Sequence, residues 1–158
     1  MERPWLREPD RVEFGHAGFP CLIQRGPSKA WCGYVAVPPG HPLHGQGYSS
    51  EYDDNGDYLG PGAVAELSVH GGITYANGCN EDSGICHVPP PGEPDNVWWL
   101  GFDCAHSHDF APRTDDPDSD HNKEMRKRAP HLSWGNDPWK TNAVYRDTGY
   151  AMAETQRL

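Results

Sequence analysis

Apolar residues in this chain come in short runs, separated by proline, glycine and acidic stretches. A brief apolar segment, Cys21 to Gln24, follows Pro20, and from Trp31 to Val37 the residues Trp31, Gly33, Val35 and Val37 alternate with Cys32, Tyr34 and Ala36. Both read as strands, and Pro38-Pro39-Gly40 ends the second because proline supplies no ladder donor. Val97 to Phe102 (VWWLGF) is the most apolar run. Its shortness and its bounding prolines and glycines predict a buried strand rather than a helix. Ala63 to Val69 and Ile73 to Ala76 flank His70-Gly71-Gly72. Paired glycines admit positive φ, so this triplet predicts a tight turn or bulge with exposed backbone N–H groups.

The stretches between these runs carry little period. Residues 1–20 mix charge, Pro and Gly and read as an irregular arm. Residues 41–62 are rich in Gly, Asp and Tyr and read as a long surface loop, 79–86 as an acidic loop, and 87–96 as a proline-rich connector. In 112–140, Asp115, Asp116, Asp118 and Asp120 precede Lys123, Arg126, Lys127 and Arg128. A block of one sign followed by the other, with little to bury, predicts a mobile insertion. From Thr141 to Leu158 no proline intervenes, and Val144, Thr148, Ala151, Thr155 and Leu158 recur at helical steps, which predicts an amphipathic helix over 141–158. Short strands without intervening helices favour antiparallel pairing. The fold expected is α+β: a small, mostly antiparallel sheet of about five strands packed by the C-terminal helix, with long irregular loops, in a single domain over 1–158.

Composition sharpens this picture. Leu, Ile, Val and Phe supply only 23 of 158 residues, but 6 Trp and 7 Tyr add large buriable area, so a folded, loop-rich chain is expected rather than a disordered one. Trp31, Trp98 and Trp99 are assigned first to the core. A formal charge of −10 repels phosphate backbones and argues against direct nucleic-acid binding. No run of roughly 18 apolar residues suggests a membrane span, and the charged start MERPWLREPDRVEF does not read as a signal peptide, so a cytoplasmic location is expected. With that location the five cysteines read as reduced thiols or metal ligands rather than a disulfide framework.

Candidate chemistry is densest after the apolar VWWLGF run: Asp103, Cys104, His106, His108 and Asp109 fall within seven residues. A buried strand ends in a rigid frame, and alternate residues there share a face. His106 and Asp109 are candidates for acid–base work with Asp103, and Cys104 and His106 for metal ligation. The plainer reading packs Cys104 as a small hydrophobe and leaves His106 on a carbonyl. His70 is the second candidate, as a base or a ligand, with Gly71 and Gly72 cradling an anion and Tyr75 beside them. The plainer reading here is a hairpin turn with a solvent-facing His. No C-x₂₋₄-C pair supports a structural zinc site, although Cys79, Cys86 and His87 offer a loose one, so zinc or another divalent metal stays open as a cofactor. The Asp53-Asp54-Asn55-Gly56-Asp57 cluster lacks the glutamate that an EF-hand needs at its twelfth position and reads as a solvated loop.

Cys21-Leu22-Ile23, Cys32-Gly33-Tyr34-Val35, PPGHP at 38–42, VHGGITY at 69–75, Cys86-His87-Val88 and WWLGFDCAH at 98–106, with Asp109 and Pro112, resemble a family of small proteins frequently carried by bacteriophages and prophages. The closing YRDTGYAMAETQRL resembles that family's final helix. His108 and the segment 113–140 depart from the pattern. The resemblance implies a phage-borne accessory protein in the host cytoplasm, acting in counter-defence or host takeover, and it carries over no reaction.

Two functions from different classes follow. In one, His70, Asp103, Cys104, His106 and Asp109 converge to bind or hydrolyse a small anionic, nucleotide-like ligand, with or without a divalent metal. In the other, the carboxylates of 51–57 and 115–120 engage a basic face of a host protein, and the Cys and His residues are purely structural.

Overall fold

A computed structural model of the chain describes residues 2–86, 96–132, 134 and 143–158. Its centre is a five-stranded, wholly antiparallel sheet, built from β1 (Arg11–His16), β2 (Phe19–Arg25), β3 (Trp31–Val37), β6 (Tyr75–Asn77) and β7 (Trp98–Asp103), in the order β1-β2-β3-β7-β6. A separate two-stranded ribbon pairs β4 (Ser50–Tyr52) with β5 (Tyr58–Pro61). Three helices follow: α1 (Pro112–Asp115), α2 (Asp120–Arg128) and α3 (Thr148–Arg157). The architecture is therefore α+β with an antiparallel sheet and a C-terminal helix. No helix of the described residues is long and apolar enough to cross a membrane.

Alternation along β2, β3 and β7 sends side chains to two buried faces. On one face Leu22, Tyr34, Ala36 and Trp99 pack with Ile85 and Val97. On the other, Ile23, Trp31, Phe102 and Cys104 pack against Ala151 of α3, and Leu100 meets Val64 and Ile73. Trp31 and Trp99 are thus core residues, as their assignment required. At Gly33 the helix lies close over the sheet: a Cβ there would stand 2.3 Å from Thr155 Oγ1 and 2.5 Å from the Phe102 ring. Only glycine lets α3 sit that low.

Several segments are more ordered than expected. Residues 1–20 are not an irregular arm: Pro4–Leu6 forms a 3₁₀ turn, and Val12 and Phe14 alternate with Arg11 and Glu13 along β1. Ala17 (φ 52°) and Gly18 (φ 85°) make the tight β1–β2 turn. The 41–62 loop contains the β4–β5 ribbon, closed by Asp53, whose carboxylate accepts the N–H groups of Asn55 and Asp57. In the described part of the expected 112–140 insertion, Pro112–Asp115 forms α1 and Asp120–Arg128 forms α2. Ser119 caps α2 by accepting from the Asn122 N–H, and the buried Asn122 amide donates to the Thr114 and Asp116 carbonyls. Capping and amide bonds hold this segment, and hydrophobic periodicity is blind to both.

The C-terminal helix is shorter than 141–158. It starts at Thr148 with Asp147 as its cap, because Val144 pairs in strand fashion with Asp109. Cys79 and Cys86 form a disulfide, contrary to the reading of all five cysteines as thiols or ligands; the Asn80–Ile85 bridge and a turn at Gly84 bring their Cα atoms to 4.5 Å. That pair is therefore spent as a zinc donor. The remaining expectations for the proline-rich connector, for His87 and for the stretch 135–142 lie outside the described residues.

Candidate functional site

Two turns and the last helix meet on the α3 side of the sheet. The first turn, Val69 to Gly72, is closed by the Gly72 N–H donating to the Val69 carbonyl at 2.9 Å, and it presents His70. The second follows β7 and is closed by the Asp109 N–H on the His106 carbonyl at 2.9 Å, so it presents His106 and Asp109 together. The helix adds Tyr150 and Glu154, with Arg146 just before its cap.

Asp109 is the hub. Its side chain has 0% exposure, and its Oδ2 lies 2.7 Å from His70 Nε2, 3.0 Å from the donating His106 backbone N–H and 3.3 Å from His106 Nδ1. Its Oδ1 accepts from Arg146 Nε at 3.0 Å. Burial alone would raise the Asp109 pKa, but donation by His70, Arg146 and the His106 amide overcomes this and holds it below the ordinary carboxylate value. The same bond raises the Arg146 pKa further. A buried carboxylate surrounded by donors in this way stays ionised.

His70 is held at both ring nitrogens and at its backbone N–H. With Nε2 donating to Asp109, its Nδ1 accepts from the Tyr150 hydroxyl at 2.7 Å, and its backbone N–H donates to Glu154 Oε2 at 2.9 Å. Burial, and then the charge of Glu154, raise the Tyr150 pKa and keep the phenol protonated. The Arg146 guanidinium lies 4.8 Å from the Tyr150 ring centre. His106 is the open member: its side chain is 34% exposed, and its ring centre is 5.4 Å from that of His70. Asp103 adjoins it, with Oδ1 3.7 Å from His106 Nδ1, and is itself held by the Thr74 hydroxyl and the Ala105 N–H.

Gly71 makes the approach of the two imidazoles physically allowed. It has φ 67°, and a Cβ on it would fall 2.1 Å from His106 Cε1, so a side chain there would meet the ring. Thus glycine serves as the platform on which His106 lies. Of the two amides expected to cradle an anion, that of Gly72 is spent on the Val69 carbonyl, and the neighbouring His70 amide is bound to Glu154.

The structure therefore brings His70, His106 and Asp109 together, with Asp103 at the margin and Gly71 beneath. It leaves Cys104 out: the side chain is sealed among Ile23, Trp31, Phe102 and Ala151, and burial, with the nearby Asp109 charge, pushes its thiol pKa up. Cys104 is thus a small core residue, a neutral thiol in apolar packing. Tyr75 also lies elsewhere. It pairs with Gly101 on the Tyr34 side of the sheet, and its ring packs 5.3 Å from that of Tyr34. His108 is exposed and outside the cluster. Arg146, Tyr150 and Glu154 escaped the sequence reading, since each belongs to a segment read only for its apolar stripe; a Tyr and a Glu four residues apart, one helical turn, were the available signal.

A second polar assembly also went unread. Glu8 accepts from Arg25 Nη2 (2.9 Å), Tyr145 Oη (2.5 Å), the Thr148 N–H (3.1 Å) and Trp31 Nε1 (3.3 Å), tying the N-terminal turn to the start of α3. Beside it a cavity of about 510 Å³ is lined by Trp5, Arg25, Arg113 and His121, among others, and shares no lining residue with the histidine cluster. Its buried charges are engaged with neighbours: Arg25 with Glu8, and Asp116 with Arg3.

No family model, curated protein or solved structure matches the chain.

Proposed function

We propose that the His70–His106–Asp109–Arg146 cluster binds a small anionic, nucleotide-like ligand and hydrolyses a phosphate ester in it. The observation that supports this is the gathering of two imidazoles and a guanidinium on one buried carboxylate, in a chain whose overall charge is −10. Arg146 brings a fixed positive charge to the buried Asp109, and the two imidazoles add ring nitrogens that an anionic ligand can bond, with Asp103 and Glu154 at the margins of the cluster. Asp109 fixes how the imidazoles are presented, Arg146 meets charge that grows on phosphoryl oxygens, and His106 faces solvent where a ligand arrives. The setting proposed is the one the family resemblance implies, a phage-borne accessory protein acting on a host signal.

The test is a panel of linear and cyclic nucleotides, with binding followed by calorimetry and product by ³¹P NMR. Wild type should bind and convert at least one member, and His106→Ala and Arg146→Gln should each reduce conversion by roughly 100-fold or more, the scale of lost acid–base or electrostatic assistance. Undiminished conversion in His106→Ala would remove the cluster from consideration.

A second reading, an acidic inhibitor of a host protein, keeps one observation in its favour. Of its two acidic tracts, 115–120 is largely used internally: Asp116 and Asp118 bind Arg3, and Asp115 accepts the Ala111 N–H. The β4–β5 ribbon is different, presenting Tyr52, Tyr58 and Leu59 at 60% exposure or more alongside Asp54 and Asp57. Association through it should weaken steeply with salt, and a salt-insensitive complex would count against it.

A further inference from the structure

One ligand atom from each of His70, His106 and Asp109 lies within 4.8 Å of those of the other two, and Asp109 Oδ2 stands 2.7 Å from His70 Nε2 and 3.3 Å from His106 Nδ1. From this convergence we infer that the cluster is a binding site for one divalent transition cation of the zinc class, which rests on the proposed function and supplies the electrophile that it leaves unspecified. Three protein donors leave positions open for a ligand, as catalytic zinc sites do. Two imidazole nitrogens with one carboxylate oxygen suit a borderline cation, whereas magnesium and calcium favour oxygen donors throughout.

The surrounding bonds support the assignment beyond proximity. Metal-bound imidazoles and carboxylates are held in place through their remaining polar atoms. Here the outward atom of His70, Nδ1, meets Tyr150 Oη at 2.7 Å, and the outward oxygen of Asp109, Oδ1, meets Arg146 Nε at 3.0 Å. The inward atoms already stand 2.7 and 3.3 Å apart across Asp109 Oδ2. Donor atoms each about 2 Å from a common cation lie about 3 Å from one another, so the cation enters by small shifts rather than by refolding a turn.

Entry replaces the proton between His70 Nε2 and Asp109. His70 then carries its proton on Nδ1 and donates it to Tyr150 Oη, reversing a bond in which that hydroxyl was the donor. A hydroxyl can both donate and accept, so Tyr150 serves both states. Phenylalanine serves neither. Cys104, sealed on the apolar side, takes no part, which separates this site from the thiolate–histidine set considered from sequence.

The experiment uses the full chain, stripped with a chelator and then titrated with Zn²⁺ and, separately, Co²⁺. Metal content is read after gel filtration, and the Co²⁺ complex by its visible absorption. Wild type should retain one equivalent, and His106→Gln, at the solvent-facing ligand, should bind at least 100-fold more weakly with unchanged far-UV circular dichroism. Tyr150→Phe should weaken binding by roughly 10- to 100-fold, the usual effect of removing a residue that orients a ligand. His108→Ala, an exposed histidine two residues away, should bind as wild type does. The inference is overturned if wild type retains no stoichiometric cation, or if His106→Gln binds like wild type, or if His108→Ala loses as much as His106→Gln. Retained cation with no nucleotide conversion would overturn the hydrolytic reading and leave the metal site standing. Conversion that persists in the stripped protein would leave the hydrolytic reading standing and overturn the cation's role as its electrophile.

Discussion

Replacing Glu8 with Ala should destabilise the protein by about 3 kcal/mol, because it breaks a buried ion pair and leaves its cation behind. Arg25 has only 4% of its side chain exposed and Glu8 only 16%, so solvent offers little replacement. Removing one partner of such a pair typically costs about 3–5 kcal/mol. The lower end applies here, since Arg25 keeps the exposed Asp10 carboxylate at 3.8 Å, the Lys29 carbonyl at 3.0 Å, the Tyr145 hydroxyl at 2.6 Å and the face of Trp31 at 4.1 Å. For a chain of this length that corresponds to a melting temperature lowered by roughly 6–12 °C. Urea unfolding followed by tryptophan fluorescence gives the free-energy change directly, and Glu8→Gln, which keeps an acceptor but not the charge, should fall between the two. The pH dependence adds a check. Burial raises the Glu8 pKa, but donation from Tyr145, the Thr148 amide, Trp31 and Arg25 outweighs it and leaves the value below that of an ordinary glutamate. A depressed carboxylate stabilises the fold above its unfolded pKa, and that stabilisation disappears as pH falls through the folded value. The wild-type advantage over Glu8→Gln should therefore shrink from about pH 4.3 downward. A Glu8→Ala variant within about 0.5 kcal/mol of wild type would refute the account, since surface substitutions alone produce changes of that size.

Three other outcomes follow from the same geometry. Gly71→Ala should displace the His106 ring and strain a φ of 67°, costing about 1 kcal/mol or more in stability and, more tellingly, shifting the His106 imidazole resonances in NMR spectra; unmoved resonances would contradict the packing. Asp109→Asn, at a fully buried carboxylate serving Arg146 and two imidazoles, should cost about 3–5 kcal/mol at neutral pH. Because the Asp109 pKa is depressed, that gap should close as pH falls below about 4, and a pH-independent gap would show that packing rather than charge is responsible. Reducing Cys79–Cys86 should destabilise the domain by about 2–3 kcal/mol by freeing an eight-residue loop, measured as the change in urea midpoint with and without reductant.

The sheet was legible because its strands announce themselves locally. The CLIQ, WCGYVAV and VWWLGF runs need no partner to show their period, and all three become central strands of the sheet. So does the idea that His70 and His106 share a site: a glycine turn beside a histidine, and a histidine just beyond a buried strand, place both at turns leaving the sheet. What the chain could not show in one dimension was which atoms answer them. Tyr150 and Glu154 reach the cluster because α3 settles onto β2 and β3, where Gly33 leaves room for Thr155, and Arg146 reaches it from just before the helix cap. Likewise Tyr75 and Cys104 carried plausible chemistry in sequence, and pleat parity and burial removed both. The order in 1–20 and 112–132 depends on Glu8, Arg3, Ser119 and Asn122, whose bonds mostly span distant positions or backbone carbonyls. Hydrophobic pattern is a local property and can be read along the chain. The satisfaction of buried polar groups is a property of the folded arrangement, and in this protein it settles both the shape of the site and the shape of the loops that carry it.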